Sequence, residues 1–159
     1  MKVVLFLDID GVLNSSETIK YWAQLAQSNQ VHPLTGDFVD NIKDCLDHLC
    51  IDRLNKILDR TKADVVISSF WRMWQTLSQL QSSLNRFGFR HTLLDVTPIN
   101  NDFRGQQIQC WLDHNPGYDR IIILDDNSVD VMDKYLIKTD NFNGGLQDIH
   151  VDQILSHKY

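Results

Sequence analysis

Val3-Val4-Leu5-Phe6-Leu7-Asp8-Ile9-Asp10-Gly11 is the stretch that decides the fold. Val3 to Leu7 is short, apolar and free of Gly or Pro, the pattern of a strand buried on both faces. Two acids follow at the point where the chain leaves the sheet. Residues two apart on an extended backbone point the same way, so Asp8 and Asp10 can converge on one point. Gly11 permits a turn with positive φ and lets backbone N–H groups approach an anion. Carboxylates at a strand tip are costly unless a cation or a reaction uses them, so the stretch reads as part of a catalytic site.

Working outward, the same strand-then-polar pattern recurs. Asp64-Val65-Val66-Ile67 is a second buried strand ending at Ser68-Ser69, and His91–Val96 a third, closed by Thr97-Pro98. Arg120–Leu124 is a fourth, ending in Asp125-Asp126, and Leu136–Thr139 a short fifth. Between them, helices are expected over Thr18–Gln27, once or twice within residues 38–60 (Phe38, Ile42, Cys45, Leu46, Leu49, Leu54, Ile57, Leu58), and over Trp71–Phe87 with Gly88 as its stop. Further helices are expected over Arg104–His114, Asn127–Tyr135 and Leu146–His157, with a loop at residues 31–36. Short apolar strands alternating with helices imply an α/β fold, a Rossmann-like five-stranded parallel sheet with helices on both faces. The 159 residues suit one domain, with residues 14–50 as a small flap or cap-like insertion.

Composition narrows the function. The chain carries 43% hydrophobic and 23% charged residues, ordinary for a globular protein. No apolar run approaches the ~20 residues of a membrane helix. Lys2 and the run after it resemble the start of a signal peptide, but Asp8 ends that run well short of a secretory core. Three cysteines without CxxC spacing read as reduced thiols of a cytoplasmic protein, and six scattered histidines form no zinc motif. A net charge of −6 gives no basic footprint for tight duplex binding, though it leaves action on a terminal phosphate open.

In parallel sheets, ligands bind beyond the carboxyl ends of the strands. Those ends bring Asp8, Asp10, Ser68, Ser69, Asp125 and Asp126 together. Arg72 and Arg104 open helices and can reach them, whereas Arg60, Arg86, Arg90 and Arg120 lie at the far end. Four close carboxylates require a cation, and oxygen ligands without His or Cys select a hard one, Mg²⁺ before Zn²⁺. With hydroxyls and a guanidinium nearby, the set suits phosphoryl transfer. A carboxylate nucleophile would divide that reaction through an aspartyl phosphate, with a second acid moving protons.

Four motifs carry a family resemblance: Asp8-Ile9-Asp10-Gly11-Val12-Leu13-Asn14, Val66-Ile67-Ser68-Ser69-Phe70-Trp71-Arg72, the helix opening at Arg104-Gly105-Gln106-Gln107, and Ile123-Leu124-Asp125-Asp126-Asn127. In this order they resemble the haloacid dehalogenase-like (HAD) phosphatases. In texture they are closest to the HAD domains of Swiss Army Knife RNA-repair proteins and to the phosphatase half of phage polynucleotide kinase-phosphatases. The resemblance implies that Asp8 is the nucleophile and a Mg²⁺ ligand. Asp10 would be the acid/base, with its backbone carbonyl on the metal. It further implies that Ser68 and the Ser69 N–H hold phosphate, that Arg104 steadies the phosphoryl oxygens and Asp8, and that Asp125, with Asp126 beside it, ligates the metal. Many relatives have Lys where Arg104 stands. Repair phosphatases can carry an extra Arg soon after the first motif; here the first basic residue after it is Lys20.

Ordinary structural roles compete at several positions. Ser69 and the Asp125-Asp126-Asn127-Ser128 run also fit helix caps, and Arg72 fits a structural pairing. Trp71, Trp74 and Trp111 fit core positions, whereas Tyr21 and Trp22 are better placed to touch substrate. Thr139-Asp140 and Gly144-Gly145-Leu146 fit a glycine turn into the last helix. The small insertion leaves the site weakly capped, which favours a nucleotide or nucleic-acid end carrying a 3′-phosphate; a small phosphometabolite is the alternative. A receiver-like phosphorylation switch would place its acceptor on the third strand, which ends in Thr97-Pro98 here. A silent binding module would have lost Asp8 or Asp10.

Overall fold

A computed structural model describes residues 1–33, 35, 36, 38, 45–100 and 103–156. Five strands, β1 Val3–Leu7, β2 Asp64–Ile67, β3 Leu93–Val96, β4 Arg120–Asp125 and β5 Leu136–Lys138, form one sheet in the order β3-β2-β1-β4-β5. Every pairing is parallel, with Leu7 opposite both Ile67 and Leu124. The sheet is therefore the Rossmann-like one expected from the alternating pattern. β1 lies at its centre, which is why all five of its residues are buried.

Period-two alternation sends Val3, Leu5 and Leu7 into one core and Val4 and Phe6 into another. The first core is closed by α1 Ser16–Gln27, α2 His48–Thr61, α3 Leu77–Arg86 and α5 Asp148–Ser156 through Trp22, Leu54, Leu80 and Val151. α4 Arg104–His114 and a 3₁₀ segment, Asp130–Tyr135, close the second through Ile108, Trp111 and Met132. Strand order reverses between β1 and β4, and this switch point opens the crevice in which ligands of such sheets bind.

Local chemistry set several boundaries differently from the sequence pattern. The expected Trp71–Phe87 helix is a 3₁₀ segment, Phe70–Met73, followed by α3. Thr76 breaks it, because its hydroxyl caps α3 at the Gln79 N–H while Gln79 returns a bond to the Thr76 N–H. Likewise Asn127–Tyr135 becomes the 3₁₀ segment, since the Asp133 carboxylate accepts from the Ser128 hydroxyl and the Val129 N–H. The expected Leu146–His157 helix starts at Asp148. Within residues 14–50, α1 and a bridge between Val31 and Phe38 are seen. Leu34, Ile42 and His157 lie outside the described residues. Among the described residues no helix is long and apolar enough to cross a membrane.

Candidate active site

Asp8 is the first residue beyond β1, and its N–H continues the ladder to the Leu124 carbonyl at 2.9 Å. Asp125 is the last residue of β4 and is wholly buried. Side-by-side strands thus bring their carboxylates together, and Asp126 joins them: an oxygen from each lies within 4.8 Å of the other two. Gly11 is the reason Asp126 fits. Its φ is +76°, and a Cβ there would stand 2.4 Å from the Asp126 carboxyl carbon. The Gly11 N–H is already donated to Asn14 Oδ1 at 3.0 Å, so Gly11 contributes shape and room. Thr139 Oγ1 donates to the Gly11 carbonyl at 2.7 Å and fixes the turn from β5.

Arg104, the first residue of α4, places one guanidinium nitrogen 2.7 Å from Asp8 and 2.5 Å from Asp125. Gly105 sets this reach, because a Cβ there would stand 1.9 Å from the Val129 carbonyl oxygen; only glycine lets α4 approach so closely. Burial works against the guanidinium charge, but Asp8 and Asp125 outweigh it and hold Arg104 firmly protonated. One cation does not balance three carboxylates. Burial, and then the Asp8 charge, push the Asp125 carboxyl up to about 6; the same two causes raise Asp126.

Asp10 stands apart from this cluster. Its side chain is exposed, and its two oxygens accept from Asn14 Nδ2 and Trp71 Nε1, each at 2.9 Å. The two acids of the opening motif therefore occupy different settings, and the metal-shaped group consists of the Asp8, Asp125 and Asp126 side chains.

On the β2 side, Ser68 is fully buried, its N–H bonded to the Leu7 carbonyl at 2.9 Å. Its Oγ is buried without a hydrogen-bond partner. Ser69 caps the 3₁₀ segment through its side chain, which accepts from the Trp71 N–H at 3.4 Å. Arg72 is buried under this loop and donates to the carbonyls of Ser68 at 2.7 Å, Ser69 at 2.5 Å and Thr97 at 3.1 Å, and to Gln107 Oε1 at 2.6 Å. It is the structural clamp of the loop.

Sequence reasoning missed the two residues that hold Asp10. Asn14 belongs to the first motif four residues on, near enough to have been suspected; Trp71 is buried as expected, but nothing in its spacing announced its N–H bond. Trp74, expected in the core, is exposed because the 3₁₀ segment ends before it. Trp22, expected near substrate, is core instead: it stacks on His32 at 3.9 Å and donates to the Leu46 carbonyl at 3.3 Å.

A parallel sheet whose switch point carries this acidic, arginine-bridged cluster defines a HAD-type domain. The chain belongs to the family described as the HAD domain in Swiss Army Knife RNA repair proteins, which matches residues 4–151. No curated protein and no solved structure matches it.

Proposed function

We propose that this domain is a Mg²⁺-dependent phosphatase that removes a terminal phosphate from a nucleic-acid end, most simply a 3′-phosphate, through an aspartyl phosphate on Asp8. The observation that carries the reading is the close packing of Asp8, Asp125 and Asp126 against a single arginine. Its donors are all oxygens, in excess negative charge, and fit a hard divalent cation. Asp8, Asp125 and Asp126, with the Asp10 backbone carbonyl, would hold Mg²⁺, which when bound neutralises phosphoryl charge as a Lewis acid.

The chain's own groups then divide the work. An Asp8 oxygen attacks phosphorus in line, and the bond to the leaving oxygen breaks as that oxygen takes a proton from Asp10. Asn14 and Trp71 keep the Asp10 carboxyl aimed. Asp10, now ionised, accepts a proton from water, whose oxygen attacks the phosphorus and releases Asp8 and inorganic phosphate. Arg104 and the unpartnered Ser68 hydroxyl hold the phosphoryl oxygens throughout.

The nucleic-acid substrate rests on the family, whose description places these domains in RNA-repair proteins. Phosphate release from a 3′-phosphorylated oligoribonucleotide, free nucleotides and sugar phosphates is the test. The oligonucleotide should give the highest kcat/KM by at least ~10-fold; a sugar phosphate in its place would move the assignment to small phosphometabolites.

A further inference from the structure

We propose that Phe70, Trp74 and Phe103 form a stacking platform for the unpaired terminal base of a single-stranded end, which makes the site selective for single strands over duplex ends. This rests on the nucleic-acid reading above. The 3₁₀ segment that follows the phosphate-holding serines turns Trp71 and Arg72 inward and leaves Phe70 62% and Trp74 65% exposed. Phe103, 72% exposed, immediately precedes Arg104. It occupies the N-cap of α4, where Ser, Thr, Asp or Asn is favoured, and its side chain caps nothing. None of the three rings is part of either hydrophobic core. Phe103 adjoins Arg104 in the chain, and Trp74 ends the 3₁₀ segment that Phe70 opens, so all three exposed rings belong to the two segments that bound the site.

Their position says what they bind. The Phe70 ring lies 5.2 Å from the Arg104 guanidinium carbon, and Arg104 touches Asp8, so an aromatic face stands directly beside the group that handles phosphate. A ligand with a phosphate and a flat π-face attached to it matches that arrangement. The charge of the chain supports the same ligand. At −6 the chain offers little for tracking many backbone phosphates, which leaves stacking as the contribution these rings make to affinity for an end. A base in a duplex end is already paired and stacked and is not available to the platform.

The test measures phosphate release from three oligoribonucleotides: a single strand ending in a 3′-phosphorylated nucleotide, the same strand with an abasic terminal residue, and the first strand in a blunt duplex. The expected kcat/KM on the first is about 10-fold or more above the other two, carried by KM, since stacking is worth that much per base. In Trp74→Ala and Phe103→Ala proteins the ratio between base-bearing and abasic ends should fall towards one. Between 50 and 200 mM salt the KM for the single strand should change less than ~10-fold. Equal turnover of base-bearing and abasic ends by the unmodified protein would overturn the platform while leaving the phosphatase reading intact. Turnover of small phosphate esters with none of any oligonucleotide would instead overturn the nucleic-acid reading, and the platform with it.

Discussion

The two sides of the crevice are built from opposite materials. The β1–β4 side is made of side-chain charge: Asp8, Asp125 and Asp126 crowd together around Arg104, and burial, with the nearby Asp8 charge, raises the Asp125 and Asp126 carboxyls. The β2 side is made of backbone, a serine loop whose carbonyls are gathered by the buried Arg72. Arg104, which opens α4, and Arg72, within the 3₁₀ segment, thus do different work. Arg104 faces acids and can be shared with a phosphate; Arg72 is buried and directs four of its five N–H donors to carbonyls and to Gln107. The comparison predicts that substitutions on the first side remove turnover while the fold survives, and that substitutions on the second remove the fold.

Among substitutions that leave the Asp8 nucleophile in place, the largest effect on turnover is expected at Asp10, which belongs to the charged side without being part of its metal-shaped cluster. Asp10→Asn should lower kcat about 10²–10⁴-fold, the usual value of a positioned acid/base, in a protein that still unfolds cooperatively, its amide oxygen accepting from only one of Asn14 and Trp71. Arg72→Ala should act on stability. It strips the buried carbonyls of Ser68 and Thr97 of a donor, at about 1–3 kcal/mol for each acceptor left bare, while the Ser69 carbonyl keeps the backbone N–H of residue 72. Arg72→Lys should rescue little in denaturant unfolding, because an ammonium lacks the fork that reaches both the loop and Gln107.

Much of this division was legible before any coordinates. The placing of Asp8, Ser68 and Asp125 at one edge of a parallel sheet followed from pattern alone, and so did the alternation of strands and helices. The sorting of Arg72 from Arg104 was only half legible. In the sequence both open helices, and it takes the short 3₁₀ turn after Ser69 to fold Arg72 back beneath its own loop. The Trp71–Asp10 bond and the exposure of Trp74 depend on that same turn, which apolar periodicity cannot distinguish from the first turn of an α-helix. The burial of Trp22 came from its stacking on His32, a partner ten residues away in a loop with no periodic pattern.

Metal should separate the two sides next. Mg²⁺ at about 100 times its Kd should stabilise the protein by about 2.7 kcal/mol, a rise of roughly 5–10 °C in Tm for a domain this size. The effect should depend on pH. The folded Asp125 carboxyl, at about 6, keeps a proton that the unfolded chain, with an ordinary value of 3.8, has already lost. Its contribution to metal-free stability is therefore full below pH 4 and lost as pH rises through 6. Mg²⁺ needs the ionised form, so its Tm increment should be small at pH 5 and complete above 7. An increment equal at both would break the assignment of Asp125 to the metal. Smallest is Trp71→Phe, which removes one bond to Asp10 and should lower kcat ~10-fold with KM held, in a protein that still unfolds cooperatively.

The most direct measurement is phosphate release from a 3′-phosphorylated oligoribonucleotide by the unmodified protein and by Asp8→Asn, each with Mg²⁺, with EDTA, and with Mg²⁺ restored. Turnover should require both Mg²⁺ and the Asp8 carboxylate, return when the ion is restored, and be absent from a folded Asp8→Asn protein. Full activity in Asp8→Asn, or in EDTA, would contradict an aspartyl phosphate formed at this acidic, metal-shaped site.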